Sequence, residues 1–190
     1  VKAGASVGDP AYTGLKQEIA VNQAGSTVTG STINNIVAKG ATGDASFMAT
    51  KGLPWASSIT SGNWITINTG GAGTPTTGAA QTINYTAVVN PSSSARSGKI
   101  TVRAGDTSAG PTGDIVLNQL GATLSVSGAK TVAATASTGN TSTFTATPGL
   151  SWNVGVVSTD NWLSLTSTAS GTNNTPVVAQ NITYDAVVNP

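Results

Sequence analysis

The sequence predicts an all-β protein built as tandem immunoglobulin-like β-sandwiches, on three observations. A twelve-residue phrase occurs twice, AQTINYTAVVNP at Ala80 to Pro91 and AQNITYDAVVNP at Ala179 to Pro190, and the copies differ only at Thr82/Asn181, Asn84/Thr183 and Thr86/Asp185. Differences on every second residue are the mark of a strand. That period places Gln81, Ile83, Tyr85, Ala87 and Val89 on an inward face and Thr82, Asn84 and Thr86 on the other. Second, the aromatic residues recur: Trp55 and Trp152 lie 97 apart (152 − 55), Trp64 and Trp162 98 apart (162 − 64), Tyr85 and Tyr184 99 apart (184 − 85). Third, short alternating runs of Val, Ile and Leu are punctuated by Gly, Pro, Asn and Ser, as in a many-stranded sandwich.

The chain of 190 residues holds two repeats' worth of material, each of about 100 residues and large enough to bury a core. Charged residues make up 8% of it, the net charge is +1, and the eight basic residues are scattered, so no stripe exists to neutralise a row of phosphates. Nucleic acid is therefore not an expected partner. Cysteine is absent, which removes disulfides and zinc-thiolate sites without deciding the compartment. No apolar run reaches the length of a membrane-spanning helix, so membrane insertion is not expected. Val1 reads as the start of a processed or excerpted segment.

Residues 1–25 pair with Val102 to Gly121: VKAG matches VRAG, and EIAVNQ at Glu18 to Gln23 matches DIVLNQ at Asp114 to Gln119. They are expected to be the C-terminal strands of a preceding repeat, or a donor segment. A complete sandwich is expected over 26–122, with strands near Thr27 to Val28, Asn35 to Lys39, Ala45 to Thr50, Trp55 to Ile59, Trp64 to Asn68, Thr82 to Val89, Gly98 to Arg103 and Asp114 to Gln119. Ser61-Gly62-Asn63, the glycine-rich Gly70 to Gly78 and Asn90-Pro91-Ser92 supply turns. A second sandwich is expected over 123–190, lacking its last two strands because Pro190 corresponds to Pro91.

Gly52-Leu53-Pro54-Trp55, Asn63-Trp64-Ile65, Asn90-Pro91, Ala95-Arg96-Ser97-Gly98-Lys99-Ile100-Thr101-Val102 and Ile115 to Gln119 stand in an order that resembles the BACON domain. The second repeat carries Trp152, Asn161-Trp162-Leu163 and Asn189. The resemblance implies an immunoglobulin-like sandwich of the kind found in tandem in secreted and surface proteins of Bacteroidota and in some phage tails, with a carbohydrate-binding or spacer role. The insertion Thr69 to Ala80 departs from the family pattern.

Catalysis near neutral pH wants a titrating base or an activated nucleophile, and the chain has no His and no Cys. The acids Asp9, Glu18, Asp44, Asp106, Asp114, Asp160 and Asp185 are dispersed, and no Asp-x-Asp-x-Asp-Gly run suggests calcium. The chain is expected not to be an enzyme and to need no metal or cofactor. Trp55, Trp64, Trp152 and Trp162 are the residues suited to stacking on sugar rings, with Asn63 and Asn161 offering hydrogen bonds. Against this, each Trp opens an apolar run and recurs at the repeat spacing, as core residues do.

The function expected is that of a structural or adhesive segment of a large extracellular repeat protein at a bacterial cell surface, an adhesin stalk or filament. The alternatives are a carbohydrate-binding module and a phage tail or fibre subunit. Expected partners are neighbouring repeats of the same or an adjacent chain, by strand or end-to-end contacts, and glycans. Residues 1–25 of one chain would complete the second repeat of the next, unless Val1 and Pro190 are arbitrary ends of a longer chain.

Overall fold

The computed structural model describes residues 19–106, 108–157, 161–173 and 178–188, and all its regular structure is β. The first nine strands are β1 (Val28–Thr29), β2 (Thr32–Ile36), β3 (Ala41–Ala49), β4 (Trp55–Ser61), β5 (Ile65–Thr69), β6 (Ala72–Gly73), β7 (Gln81–Ala87), β8 (Arg96–Ala104) and β9 (Thr112–Gln119). They form two sheets, of order β1-β3-β7-β5 and β2-β9-β8-β4-β6. This is the two-layer arrangement of an immunoglobulin-like sandwich.

Alternation along each strand fills the space between the sheets. In β7, Ile83, Tyr85 and Ala87 are buried while Thr82 is exposed, so the inward face is the one the doubled phrase predicts. Opposite, Ile100 and Val102 of β8 and Ile115 and Leu117 of β9 are 0% exposed. With Ala45, Phe47, Trp55, Trp64 and Ile65 they make one core cluster. The outward face of the first sheet is polar: Asn68 Nδ2 donates to Asn84 Oδ1 (2.8 Å), and Asn84 Nδ2 donates to Asp44 Oδ1 (2.7 Å).

Two local readings differ from the structure. The strand expected at Asn35 to Lys39 lies earlier, at Thr32–Ile36. Asn35 adopts a left-handed φ of 59°, and the chain then turns so that Gly40, at φ 87°, donates its N–H to the Val37 carbonyl. A cross-strand partner, not apolar content, sets this strand: Thr32 and Ile33 pair with Val116 and Leu117. Inside the glycine-rich stretch read as a turn, β6 pairs with Trp55 and Ala56.

The second half contributes β10 (Leu124–Val126), β11 (Ser137–Ala146), β12 (Ser151–Asn153), β13 (Leu163–Leu165), β14 (Ser170–Thr172) and β15 (Gln180–Ala186). The order β10-β11-β15-β13 matches that of β1-β3-β7-β5, and the β12-β14 pair matches β4-β6. Among the described residues nothing corresponds to β8, β9 or β2. β2 takes its pairing from β9, so without a β9 the matching stretch near 129–136 has no ladder to join. β4 runs for seven residues along β8, whereas β12 keeps only the three that pair with β14.

The expected strands of residues 1–25 fall mostly outside the described residues. Ile19 to Gln23, which are described, lie in no strand, with Ile19 69% and Val21 86% exposed.

Candidate functional site

Trp55 opens β4 and points into the sandwich. Its ring meets Phe47 edge-on at 4.7 Å and 78°, and its outer side is closed by β6. A Cβ on Gly73 would stand 3.1 Å from Trp55 Cζ2, so a residue without a side chain is what lets this strand lie against the indole. In the second half Trp152 meets Phe144 at 4.9 Å and 69°, and Gly171 takes the place of Gly73, 2.7 Å from Trp152 Cζ2 on the same measure. Gly73 and Gly171 are 98 apart (171 − 73), the spacing of Trp64 and Trp162, which is the signal in the sequence that marks β6 and β14.

Trp64, just before β5, is closed from above by Arg96, whose guanidinium carbon sits 4.5 Å from the ring centroid. Arg96 Nε donates to Gln119 Oε1 (2.8 Å), and its Nη2 donates to the carbonyls of Val88 (2.8 Å) and Val89 (2.9 Å). Gln119, 1% exposed, donates its Nε2 to Val37 O (3.1 Å) and Val88 O (2.9 Å). Burial lowers the Arg96 guanidinium pKa from its ordinary value. The Arg-x-Gly motif thus has a physical reading: Arg96 covers Trp64, and Gly98 leaves room for Ile65, whose Cδ1 would be 2.4 Å from a Cβ there.

Trp55 and Trp64 are each 6% exposed, so neither ring face is open for a sugar to stack on. Trp152 and Trp162 are half-buried, and Asn63 and Asn161 are exposed, Asn161 with a left-handed φ of 52°. These six residues do not converge: the first pair of rings is inside one sandwich and the second pair belongs to another sheet system. The indole Nε1 of Trp152 is buried without a partner, but so is that of Trp55 in the closed sandwich, so it belongs to the packing motif and not to a ligand.

The described acids, Asp44, Asp106, Asp114 and Asp185, do not gather either. Asp114 accepts from Thr101 Oγ1 (2.7 Å) and pairs with Lys99 Nζ (3.0 Å), which together hold its carboxyl below the usual range. Asp185 accepts from the Gly139 N–H (2.7 Å). Among the described residues no three potential metal ligands gather.

An open, partly apolar groove lies beside the second half. Of about 590 Å³, it is lined by Leu124, Ala146, Leu150 and Trp152 on one side and by Pro91 and Ser93 on the other. Leu124 and Val126 are 67% and 68% exposed. Their place in the first sandwich is taken by Val28 and Gly30, which lie against β9: a Cβ on Gly113 would stand 2.9 Å from Val28 Cγ1. Sequence reading expected the second sandwich to lack its last two strands but did not single out Leu124 and Val126, because Leu and Val in an alternating run look the same whether or not a facing layer is present.

Residues 54–120 match the family model described as "BACON: Putative binding domain, N-terminal". The match begins at β4 and ends just past β9, and so takes in Trp55, Trp64, Arg96, Gly98 and Gln119. No curated protein sequence matches the chain.

Proposed function

With residues 54–120 a BACON domain, we propose that the chain is a load-bearing structural or adhesive segment of a large extracellular repeat protein at a bacterial surface. One observation carries the reading: β2, which follows the two-residue β1, and β9, the last strand of the sandwich, are parallel neighbours, with Thr32 opposite Val116 and Ile36 opposite Gln119. Tension applied through the chain pulls the start of β2 and the end of β9 in opposite directions along one ladder. Its hydrogen bonds are then loaded together, in shear, instead of opening one at a time.

The ladder is braced by side chains, Asn118 Nδ2 to Asn34 Oδ1 (2.8 Å) and Gln119 Nε2 to Val37 O. The junction to the second half is tied as well. Leu120 N–H donates to Ile36 O (2.8 Å), Ala122 N–H to Ser92 O (2.7 Å) and Thr123 N–H to Thr147 Oγ1 (2.9 Å), which supports a link of limited bending. Asn90, 1% exposed, donates to Leu120 O (3.0 Å) from the turn that follows β7.

Single-molecule pulling of the chain tests this. The sandwich is expected to unfold in one high-force event, and Val116→Pro, which removes the N–H donated to Ser31 O, is expected to lower that force sharply. A force peak unchanged by the substitution would refute the shear ladder.

A glycan-binding module is the second reading, supported by the description of the matched family and by the half-buried Trp152 and Trp162. A glycan array decides it. A spacer binds nothing, whereas a module binds a sugar and loses it in Trp152→Ala or Trp162→Ala.

A further inference from the structure

We propose that Pro148 is the residue that seats the second half on the end of the first sandwich, and that the character of this one position decides which unit can follow which. The inference rests on the reading of the chain as units in series and adds what orders them.

The two halves contain the same turn. Leu53 N–H donates to Thr50 O and Leu150 N–H to Thr147 O, each at 3.3 Å, and the third residues, Gly52 and Gly149, have φ of 81° and 83°. That is a type II turn, whose third residue needs a positive φ and whose second position suits most residues and favours proline. Its moorings recur as well. Thr27 N–H donates to Thr50 Oγ1 (2.8 Å) and Thr123 N–H to Thr147 Oγ1 (2.9 Å), while the glycine N–H donates to Pro75 O (2.8 Å) in one half and to Asn173 O (2.6 Å) in the other. On this shared frame the second residue alone differs: Lys51 in the first turn, Pro148 in the second.

The second turn lies against the first sandwich. A Cβ on Gly149 would stand 3.8 Å from Val89 Cγ2. Pro148 is buried, and with Val37, Ala38, Lys39 and Leu120 it borders a groove of about 430 Å³ between the two halves. Val37 and Leu120 are 43% and 45% exposed, so apolar surface is on offer there. A pyrrolidine ring covers such surface without stranding a backbone donor, because proline has no N–H.

A lysine on the same turn would fit the backbone and fail the seat. It would bring a second ammonium beside Lys39 in a place water reaches only in part, where like charges are poorly screened. It would also leave that charge against Val37 and Leu120 with no partner. The end of the first sandwich thus accepts Thr147-Pro148-Gly149-Leu150 and rejects Thr50-Lys51-Gly52-Leu53, although both turns have one shape. Selection of this kind comes from the repulsive element as much as from the attractive one.

The chain has no cysteine, so nitroxide labels on Ser58→Cys of β4 and Ser164→Cys of β13, both exposed positions, report the distance between the halves by double electron–electron resonance. The wild type and Pro148→Leu, which keeps an apolar side chain at the groove, are expected to give one narrow distribution. Pro148→Lys is expected to give one at least about twice as wide, as unseated units move independently. Adding Lys39→Glu to Pro148→Lys supplies the opposite charge and is expected to restore the narrow distribution, a recovery that general damage to the turn would not give. Lys51→Pro, on the first turn, is expected to change nothing at the junction. Unchanged thermal unfolding of the sandwich checks that each variant folds. Equal widths for the wild type and Pro148→Lys, equal broadening by Pro148→Leu and Pro148→Lys, or a width that Lys39→Glu does not restore would each overturn the proposal. Its failure is separable from that of the load-bearing reading, because the pulling experiment addresses β2 and β9 within one sandwich.

Discussion

The guanidinium of Arg96 lies over the indole of Trp64, 4.5 Å from its centroid, while its nitrogens reach Gln119 and the carbonyls of Val88 and Val89. One side chain therefore joins β8 to β9, to the end of β7 and to the aromatic that starts β5. A lysine retains the charge but neither the planar stacking nor the fork of donors. Arg96→Lys is expected to destabilise the sandwich by about 1–2 kcal/mol and Arg96→Ala by about 3 kcal/mol, read by urea unfolding through Trp emission. Equal losses for the two variants would contradict this geometry.

Glycine positions make a sharper contrast. A Cβ on Gly30 would lie on the Asp114 carbonyl oxygen, 1.8 Å away, where only backbone can move. Gly98→Ala meets the flexible end of Ile65 first, its Cδ1 at 2.4 Å, and then the Trp64 ring at 3.0 Å. Overpacking of the second kind costs about 1–3 kcal/mol. Gly30→Ala is expected to exceed it, and to separate β1 from β9, seen as faster amide exchange at Val116.

Ile83 and Ile182, matching residues enclosed to different degrees, predict unequal responses to the same substitution. Ile83→Ala empties a site that is 0% exposed and is expected to cost about 2–5 kcal/mol. Ile182→Ala, on the matching strand of the open half, is expected to cost under about 1.5 kcal/mol in dilute solution, because water already reaches that side chain. Thermal unfolding of the two variants checks the difference.

Acid stability carries a signature of Asp114. Its folded pKa is lowered from 3.8 by the Thr101 hydroxyl, then by Lys99. A carboxyl depressed in the folded state contributes stability above its unfolded pKa and loses it as the pH falls through the folded value. Asp114→Asn is therefore expected to be less stable than the wild type at pH 6 and to converge with it below 3.8. With the Lys99 and Asp114 side chains 43% and 42% exposed, the effect is small and the Lys99 share shrinks in 1 M salt.

The strand content and inward faces were legible because alternation is local. Gln81 to Ala87 declares its buried side through the substitutions that separate it from Gln180 to Ala186, and β7 adopts that orientation. Boundaries were less legible. β6 has no alternation to read, since Gly73 is there for what it lacks, and β2 ends at Ile36 because its neighbour's register ends there. The aromatic residues announced their recurrence but not their surroundings: that Trp64 lies beneath Arg96, 32 residues on (96 − 64), depends on two strands from different sheets meeting at one end of the sandwich.

By itself the sequence determined the all-β class, the inward residues of the principal strands and the recurrence of one pattern of aromatic residues, since each follows from short-range periodicity and spacing. Tertiary structure decided which of those residues are enclosed. Burial is a property of two facing layers, and Ile83 and Ile182 share a sequence context yet differ in exposure because, among the described residues, strands such as β8 and β9 stand across from only one of them.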